Sequence, residues 1–178
     1  MAGHSTILIL YSTVDGHTRT ICARIGRLLE AVGHVVTLER IEDASGIDLT
    51  AYDKIVIGAS IRYGRHRRSV FEFIEARRSA LESRANAFFT VNIVARKPEK
   101  NRPETNPYMQ RFLRRTCWRP RLLDVFAGRL DYPRCRPFDR LAIRFILWLS
   151  KGPTDPTAIF EFTDWARVDA FAQRVAEM

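Results

Sequence analysis

The stretch that decides the fold reads Leu8-Ile9-Leu10-Tyr11-Ser12-Thr13-Val14-Asp15-Gly16-His17-Thr18. An apolar run ends in a turn rich in hydroxyl groups, and from Ile21 to Val32 apolar residues recur at helical spacing. A buried strand therefore leads through a short loop into a helix. The N–H groups and the dipole at the start of that helix favour an anion in the loop, and Gly16 allows close approach to the backbone.

The chemistry of this loop indicates a phosphomonoester held by hydroxyls and amides. The loop has no G-K-[ST] and no G-x-G-x-x-G pattern, and it lacks a lysine, so a triphosphate with magnesium fits poorly. The hydroxyl donors would be Ser12, Thr13 and Thr18. An ordinary capped turn without a ligand is the alternative that this loop alone leaves open.

Length and composition indicate one globular domain, which we expect to span residues 5–178. The chain has 178 residues, of which 46% are apolar, and no run reaches the roughly 18 apolar residues that span a bilayer. We expect no secretory signal at the N-terminus. The three widely spaced cysteines argue against a disulfide framework and a metal cluster. These features favour a reduced, cytosol-facing protein.

The net charge of +9 is concentrated in one third of the chain. Residues 96–151 carry 15 Lys or Arg against 5 Asp or Glu, whereas the remainder carries 14 basic and 15 acidic residues. Such a region is expected to meet a nucleic acid, an anionic membrane surface or a carboxylated small molecule.

Strand and helix patterns alternate along the chain. The predicted strands are Thr6–Tyr11, His34–Arg40, Lys54–Ala59, Ala87–Val94 and Leu122–Ala127. The predicted helices are Thr18–Val32, Ser69–Leu81, Asn106–Thr116 and Thr163–Glu177, the last with Thr163 as its cap. The first four strands are continuous apolar runs, which are typical of a parallel sheet covered on both faces. We therefore expect a doubly wound α/β fold.

Three loops follow the carboxyl ends of these strands, where ligands of such sheets bind. The first is the hydroxyl-rich loop. The second contains Ser60, Ile61, Arg62, Tyr63 and Gly64, and the third contains Asn92, Ile93, Val94 and Ala95, followed by Arg96 and Lys97. A phosphate on the first loop would place a bound heterocycle between the other two. Tyr63 offers a stacking face, with a half-exposed surface aromatic as the alternative.

A basic, amphipathic segment near the C-terminus is predicted to be a helix over residues 138–149. Its apolar residues include Phe138, Leu141 and Phe145, with Trp148 at the margin and Arg140 on the opposite face. This pattern suits a helix that lies in a membrane interface. Packing on the protein's own sheet, with a basic face in solvent, is the alternative. The segment from Ala158 to Phe162 is expected to resume a strand.

Several stretches of the sequence resemble signature motifs of one flavodoxin-like family. The first loop resembles the flavodoxin phosphate loop. Residues 57–64, 91–100, 116–120 and 163–165 resemble the quinone-dependent protoporphyrinogen oxidases of bacteria. The resemblance covers essentially the whole chain. It implies the strand order 2-1-3-4-5 and a long-chain insertion at about residues 130–158 that interrupts the fifth strand.

The resemblance implies an FMN enzyme of haem biosynthesis, with the three loops as the cofactor site. It would oxidise protoporphyrinogen IX to protoporphyrin IX and pass the electrons to a membrane quinone. No catalytic residue and no metal ligand is assigned. Neither His17 nor His66 is expected to be catalytic. The location implied is the cytoplasmic face of the inner membrane, bound peripherally, with a soluble pool possible.

Arginines near the loops and in the insertion would meet the substrate's propionates or the anionic membrane. The residues predicted for this role are Arg65, Arg67, Arg68, Arg96, Lys97, Arg136, Arg140, Phe145 and Trp148. A solvated charge run is the alternative for those near the second loop. A flavodoxin-type electron carrier or an NAD(P)H-dependent quinone reductase is the alternative function, and a nucleic-acid-binding module ranks third because stacking aromatics are not interleaved with the basic residues.

Overall fold

The computed structural model describes residues 4–134, 137–149 and 152–178. Its main sheet has five parallel strands in the order β2-β1-β3-β4-β5. They are β1 (Thr6–Ser12), β2 (Val35–Arg40), β3 (Lys54–Ser60), β4 (Ala85–Asn92) and β5 (Leu122–Ala127). The helices are α1 (His17–Ala31), α2 (Arg68–Glu82), α3 (Pro107–Arg115), α4 (Pro137–Leu149) and α5 (Trp165–Glu177). The predicted doubly wound fold and its strand order are confirmed.

Two apolar cores lie on opposite faces of the sheet. Because side chains alternate along a strand, Leu8 and Leu10 face the layer of α2 and α3, whereas Ile7 and Ile9 face α1 and α5. The expectation of full cover is wrong for β2, which is half exposed because it is an edge strand. The other strand that neighbours β1 is β3, which is buried along its length. Buried strands therefore hold the first and second loops in place.

Most element ends differ from the prediction by one or two residues, and at two of them a hydrogen bond explains the difference. Strand β4 ends at Asn92 because the Asn92 Oδ1 accepts the N–H of Ala95 at 3.0 Å and starts a 3₁₀ turn over Ile93–Arg96. Helix α5 is capped by Asp164, which accepts the N–H of Arg167 at 3.2 Å. The hydroxyl of Thr163, the predicted cap, instead donates to a carbonyl of β5.

The expectation that the insertion interrupts the fifth strand is wrong. Strand β6 (Arg129–Asp131) pairs antiparallel with β7 (Ile159–Glu161) in a separate two-stranded sheet, so β7 does not resume the main sheet. The N–H of Gly128 donates to the carbonyl of Asn92, and the Gly128 carbonyl accepts from Phe162, both at 3.2 Å. The insertion thus leaves and rejoins the core beside one glycine. The proposed extents of the domain and of the insertion stay predictions.

Helix α4 packs on this small sheet through a narrow stripe. Leu147 is buried in a cluster with Leu130 and Tyr132, and Ile143 packs against the same cluster. None of the helices in the described residues is long and apolar enough to cross a membrane.

Candidate functional site

The first loop presents an open backbone at the start of α1. Gly16, which precedes the helix, has a φ of +85°, and a Cβ added there would meet nothing within 4 Å. The loop closes locally, since the N–H of Gly16 donates to the Thr13 hydroxyl at 3.0 Å. The first N–H to bond within the helix is that of Thr20, so the N–H groups of residues 17–19 have no acceptor in α1. This geometry suits an anion.

Two buried hydroxyls at this edge of the sheet have no hydrogen-bond partner in the part of the chain that the structure describes. The Oγ1 of Thr18 and the Oγ of Ser60 have no hydrogen bond within the described residues. A buried hydroxyl without a partner costs about 1–3 kcal/mol, and a phosphate or another polar ligand group would remove that cost. The predicted donor Ser12 differs, because its hydroxyl lies 3.5 Å from Glu42 Oε1. The first loop therefore fits a phosphate, with Thr18 as its clearest side-chain donor.

The second loop is a tight turn whose backbone is held in the left-handed region. Tyr63 and Gly64 have φ values of 51° and 73°, and Arg62 and Arg65 exchange backbone hydrogen bonds across them. Positive φ at both central positions is the geometry of a type I′ turn. The side chain of Tyr63 is 69% exposed, and the guanidinium of Arg62 lies 5.1 Å from its ring centroid. The second loop thus presents an exposed aromatic ring at the edge of the sheet where the three loops lie.

Most of the arginines predicted around the second loop form ion pairs with acidic residues of the protein. Arg62 pairs with Asp15 of the first loop at 3.2 Å and so links the two loops. Arg67 pairs with Glu42 at 3.1 Å, and Arg68 pairs with Glu72 at 2.7 Å. Glu42, which the sequence analysis did not single out, also accepts from Ser69, and these contacts hold the pKa of its carboxyl below its usual value although burial acts in the opposite sense. Arg65 is exposed.

Most side chains of the third loop pack into the protein rather than toward open space. The amide of Asn92 is buried, accepts from Ala95 and pairs with the buried amide of Asn106. Ile93 packs against the insertion, and Ala95 is buried. The predicted cofactor contacts in this loop are therefore left to the backbone and to Val94, which is half buried.

Arg96 and Lys97 follow the same turn. The Nη1 of Arg96 donates to the carbonyl of Ile93 at 3.4 Å. The Nη2 of Arg96 lies close to Gly152, since a Cβ added to that glycine would be 2.9 Å from it. Arg96 thus lies against the chain just after α4. Lys97 closes the 3₁₀ turn through its N–H.

Both histidines near the loops serve as hydrogen-bonding residues. His17 Nε2 lies 2.7 Å from the hydroxyl of Thr163, and burial lowers the pKa of His17. His66 is buried among aromatic rings with its Nε2 2.9 Å from the Thr90 hydroxyl. Burial, with a smaller effect from Arg115, lowers the pKa of His66 to about 3. Both imidazoles are therefore neutral near pH 7.

Four large apolar side chains of α4 point away from the protein. Their exposed fractions lie between 60% and 88%, and they are Phe138, Leu141, Phe145 and Trp148. They follow one another at intervals of three, four and three residues, so they form one stripe along the helix. The Nη2 of Arg140 donates to a carbonyl before the helix at 3.3 Å. The predicted contact Arg136 lies outside the described residues.

Sequence reasoning also missed two arginines of α3 that lie beside the second loop. Arg111 Nη1 donates to the carbonyl of Gly64 at 2.8 Å, and the Arg115 guanidinium lies 4.1 Å from the ring centroid of Phe71. Their spacing of four places them on one face of the helix. That spacing is visible in the sequence, but the proximity of α3 to the second loop is not.

The strand order and the three loops at one edge of the sheet define the class of flavodoxin-like proteins. A family model described as a flavodoxin domain matches residues 8–157. A short-chain flavodoxin associated with a non-canonical PDU bacterial microcompartment shares the fold, with a TM-score of 0.55 and 13% identity over 97% of both chains.

Curated relatives narrow this class to one family. The chain is 42% identical over 174 residues to a protein of Escherichia coli strain K12 named "Protoporphyrinogen IX dehydrogenase [quinone]", covering 96% of this chain and 94% of that one. A protein of the same name from Leishmania major is 42% identical over 172 residues, which cover 96% of this chain and 74% of that protein. The chain belongs to this family of flavodoxin-like dehydrogenases, as the resemblance of its motifs predicted.

Proposed function

We propose that the chain binds FMN at the three loops and oxidises protoporphyrinogen IX to protoporphyrin IX, with a membrane quinone as the electron acceptor. The flavin assignment rests on two buried hydroxyls without a partner among the described residues, that of Thr18 at the open start of α1 and that of Ser60 at the end of β3. The substrate and the acceptor are those in the names of the relatives.

The residues of the first loop would hold the phosphate of FMN. The N–H groups of the first turn of α1 and the hydroxyl of Thr18 supply donors, and the open space at Gly16 admits the anion. Tyr63 would contact the ring system, because its aromatic surface is exposed between the first and third loops. When bound, FMN supplies the two-electron chemistry, and the protein binds and orients the reactants.

The contacts of His17 and His66 favour neither ring as the proton acceptor in this reaction. His66 is buried and bonded to Thr90, and His17 is half buried with its Nε2 bonded to Thr163. We propose that solvent or the cofactor accepts the substrate's protons.

We further propose that α4 holds the protein on an anionic membrane surface, at the cytoplasmic face of the inner membrane. An exposed apolar stripe on a helix of 13 residues suits burial in the interface of one leaflet. Arg144 is exposed on the same helix and would meet lipid phosphates. A soluble pool is compatible with such reversible attachment.

The catalytic proposal is tested with purified protein, FMN and protoporphyrinogen IX under anaerobic conditions. Porphyrin fluorescence should rise with a quinone present and stay at the non-enzymatic rate without one. A matched test replaces the quinone with NAD(P)⁺. The proposal is contradicted if porphyrin forms without a quinone, or if porphyrin formation does not exceed the background rate. Reduction of a quinone by NAD(P)H would favour the alternative, an NAD(P)H-dependent quinone reductase.

The membrane proposal is tested by sedimentation with vesicles that contain anionic lipid. Phe145→Gln/Trp148→Gln removes two exposed side chains whose burial in lipid is worth about 1.5–3 kcal/mol each, so partitioning should fall about 100-fold or more. The matched control is Val32→Gln/Val35→Gln, which changes two residues that are each 64% exposed at the other end of the sheet. Equal losses in both variants would argue against α4 as the anchor.

A further inference from the structure

A small cavity lies beside the second loop, between this loop and the helices α2 and α3. Its floor is aromatic and consists of Phe71, Phe112 and the buried ring of His66. Arg65, Arg111 and Arg115 also line it, and we refer to them as the rim arginines. An apolar floor below several fixed cations is the arrangement expected for a ligand with an apolar body and a carboxylate.

Among the residues that the structure describes, the three rim arginines have no acidic partner, in contrast to the nearby Arg67 and Arg68. Within the described residues, no ion pair joins Arg65, Arg111 or Arg115 to a carboxylate, whereas Arg67 and Arg68 are both paired. Three adjacent cations without counter-ions repel one another, and an anion bound between them would relieve that repulsion.

Contacts of the protein hold two of these guanidiniums in place. Arg111 uses Nη1 to donate to the carbonyl of Gly64 at 2.8 Å, which leaves its other N–H groups for a ligand. The Arg115 guanidinium lies over the face of Phe71 at 4.1 Å, so its N–H edge stays available. Such fixed guanidiniums lose little freedom when a carboxylate binds.

We propose that this cavity is the subsite for a carboxylate of the substrate, and the proposal rests on the function assigned above. Protoporphyrinogen IX is an apolar macrocycle that carries propionate side chains. A propionate between Arg65, Arg111 and Arg115 would place the macrocycle along the turn that presents Tyr63. Because Arg65 belongs to that turn and Arg111 bonds to it, binding of the carboxylate is coupled to the rim of the flavin site.

The test measures binding of the stable product, protoporphyrin IX, to the FMN-loaded protein in a neutral detergent. Arg65→Met and Arg115→Met should each raise the dissociation constant about tenfold or more, because each loses a charge-assisted hydrogen bond. Arg114→Met is the matched control, since it removes an equal charge from an exposed position of the same helix. The dimethyl ester of the porphyrin should bind to the wild type and to all three variants alike.

Each outcome decides the proposal. FMN affinity, measured by quenching of flavin fluorescence, should be unchanged in Arg65→Met and Arg115→Met, which shows that the flavin site is intact. If both variants bind the porphyrin as Arg114→Met does, or if the ester loses as much affinity as the acid, the subsite is wrong. If the wild type forms porphyrin with quinone, while Arg65→Met and Arg115→Met bind protoporphyrin IX as the wild type does, only the subsite is refuted. The absence of quinone-dependent oxidation, with arginine-dependent binding of the acid, refutes the function alone.

Discussion

Replacement of Thr18 by valine should change the stability of the free protein and its affinity for FMN in opposite directions. The hydroxyl of Thr18 is buried without a partner, and valine has nearly the same shape. Its removal should therefore stabilise the flavin-free protein by about 1 kcal/mol, out of a desolvation cost of about 1–3 kcal/mol. For a chain of this size that corresponds to a rise in Tm of about 2–4 °C.

The same substitution should weaken FMN binding. If the hydroxyl donates to the phosphate, Thr18→Val loses a hydrogen bond to a charged acceptor, which is worth about 1.5–3 kcal/mol. The dissociation constant should then rise about 10-fold to 100-fold. Thermal unfolding of the flavin-free protein gives the first quantity, and titration of flavin fluorescence gives the second.

Thr20→Val is the matched control, because Thr20 is exposed in the same helix and its hydroxyl lies 3.4 Å from the Gly16 carbonyl. It should change FMN affinity less than twofold. A Thr18→Val protein that is less stable without FMN, or one that binds FMN as the wild type does, would show that this hydroxyl is not reserved for a ligand.

Three further substitutions test the scaffold that supports the site. Gly58→Ala should lower the free energy of unfolding by about 1–3 kcal/mol in urea denaturation, because a Cβ there would lie 2.3 Å from Phe89 Cζ; an unchanged midpoint would contradict this close packing. Lys54→Met should cost about 1 kcal/mol, because the ammonium donates to carbonyls at the C-terminal end of α5, and Lys54→Arg serves as the comparison. The pKa of His66 is lowered to about 3, below the unfolded value of 6.5, so its contribution to stability is complete above pH 6.5 and is lost as pH falls toward 3. Relative to His66→Gln, the wild type should lose stability by up to about 1.4 kcal/mol per pH unit in that window, and parallel pH profiles would refute the assignment.

The fold class could be predicted because its signals are local and repeated. Apolar runs such as that in β3 alternate with helical spacing, and parallel strands bring their following loops to one edge. The phosphate loop was identifiable for the same reason. A local polar contact overrode the apolar pattern at the end of β4. Ile93 and Val94 extend a strand pattern, but the side chain of Asn92 ends the strand by accepting the N–H of Ala95, three residues later.

Other features depend on contacts between distant parts of the chain, which the sequence pattern does not reveal. The amphipathic pattern of α4 indicates an apolar side, but not that Leu147 faces the protein while Phe145 and Trp148 face outward. Strands of three residues such as β6 carry too little periodicity to be recognised. The cavity beside Arg111 forms only when α3 packs beside the second loop.

The hydrogen bonds at Gly128 predict that the insertion can be removed without loss of the main sheet. Since the N–H of Phe162 bonds to the carbonyl of Gly128, the two ends of the excursion are neighbours, and a linker of about two residues could join them. Excision of residues 129–161 would retain all five parallel strands and the first two loops. The shortened chain should still bind FMN, which would separate cofactor loading from attachment to a surface. The same junction could accept an insertion from another chain, so the flavin core could be given a different docking helix by transplantation.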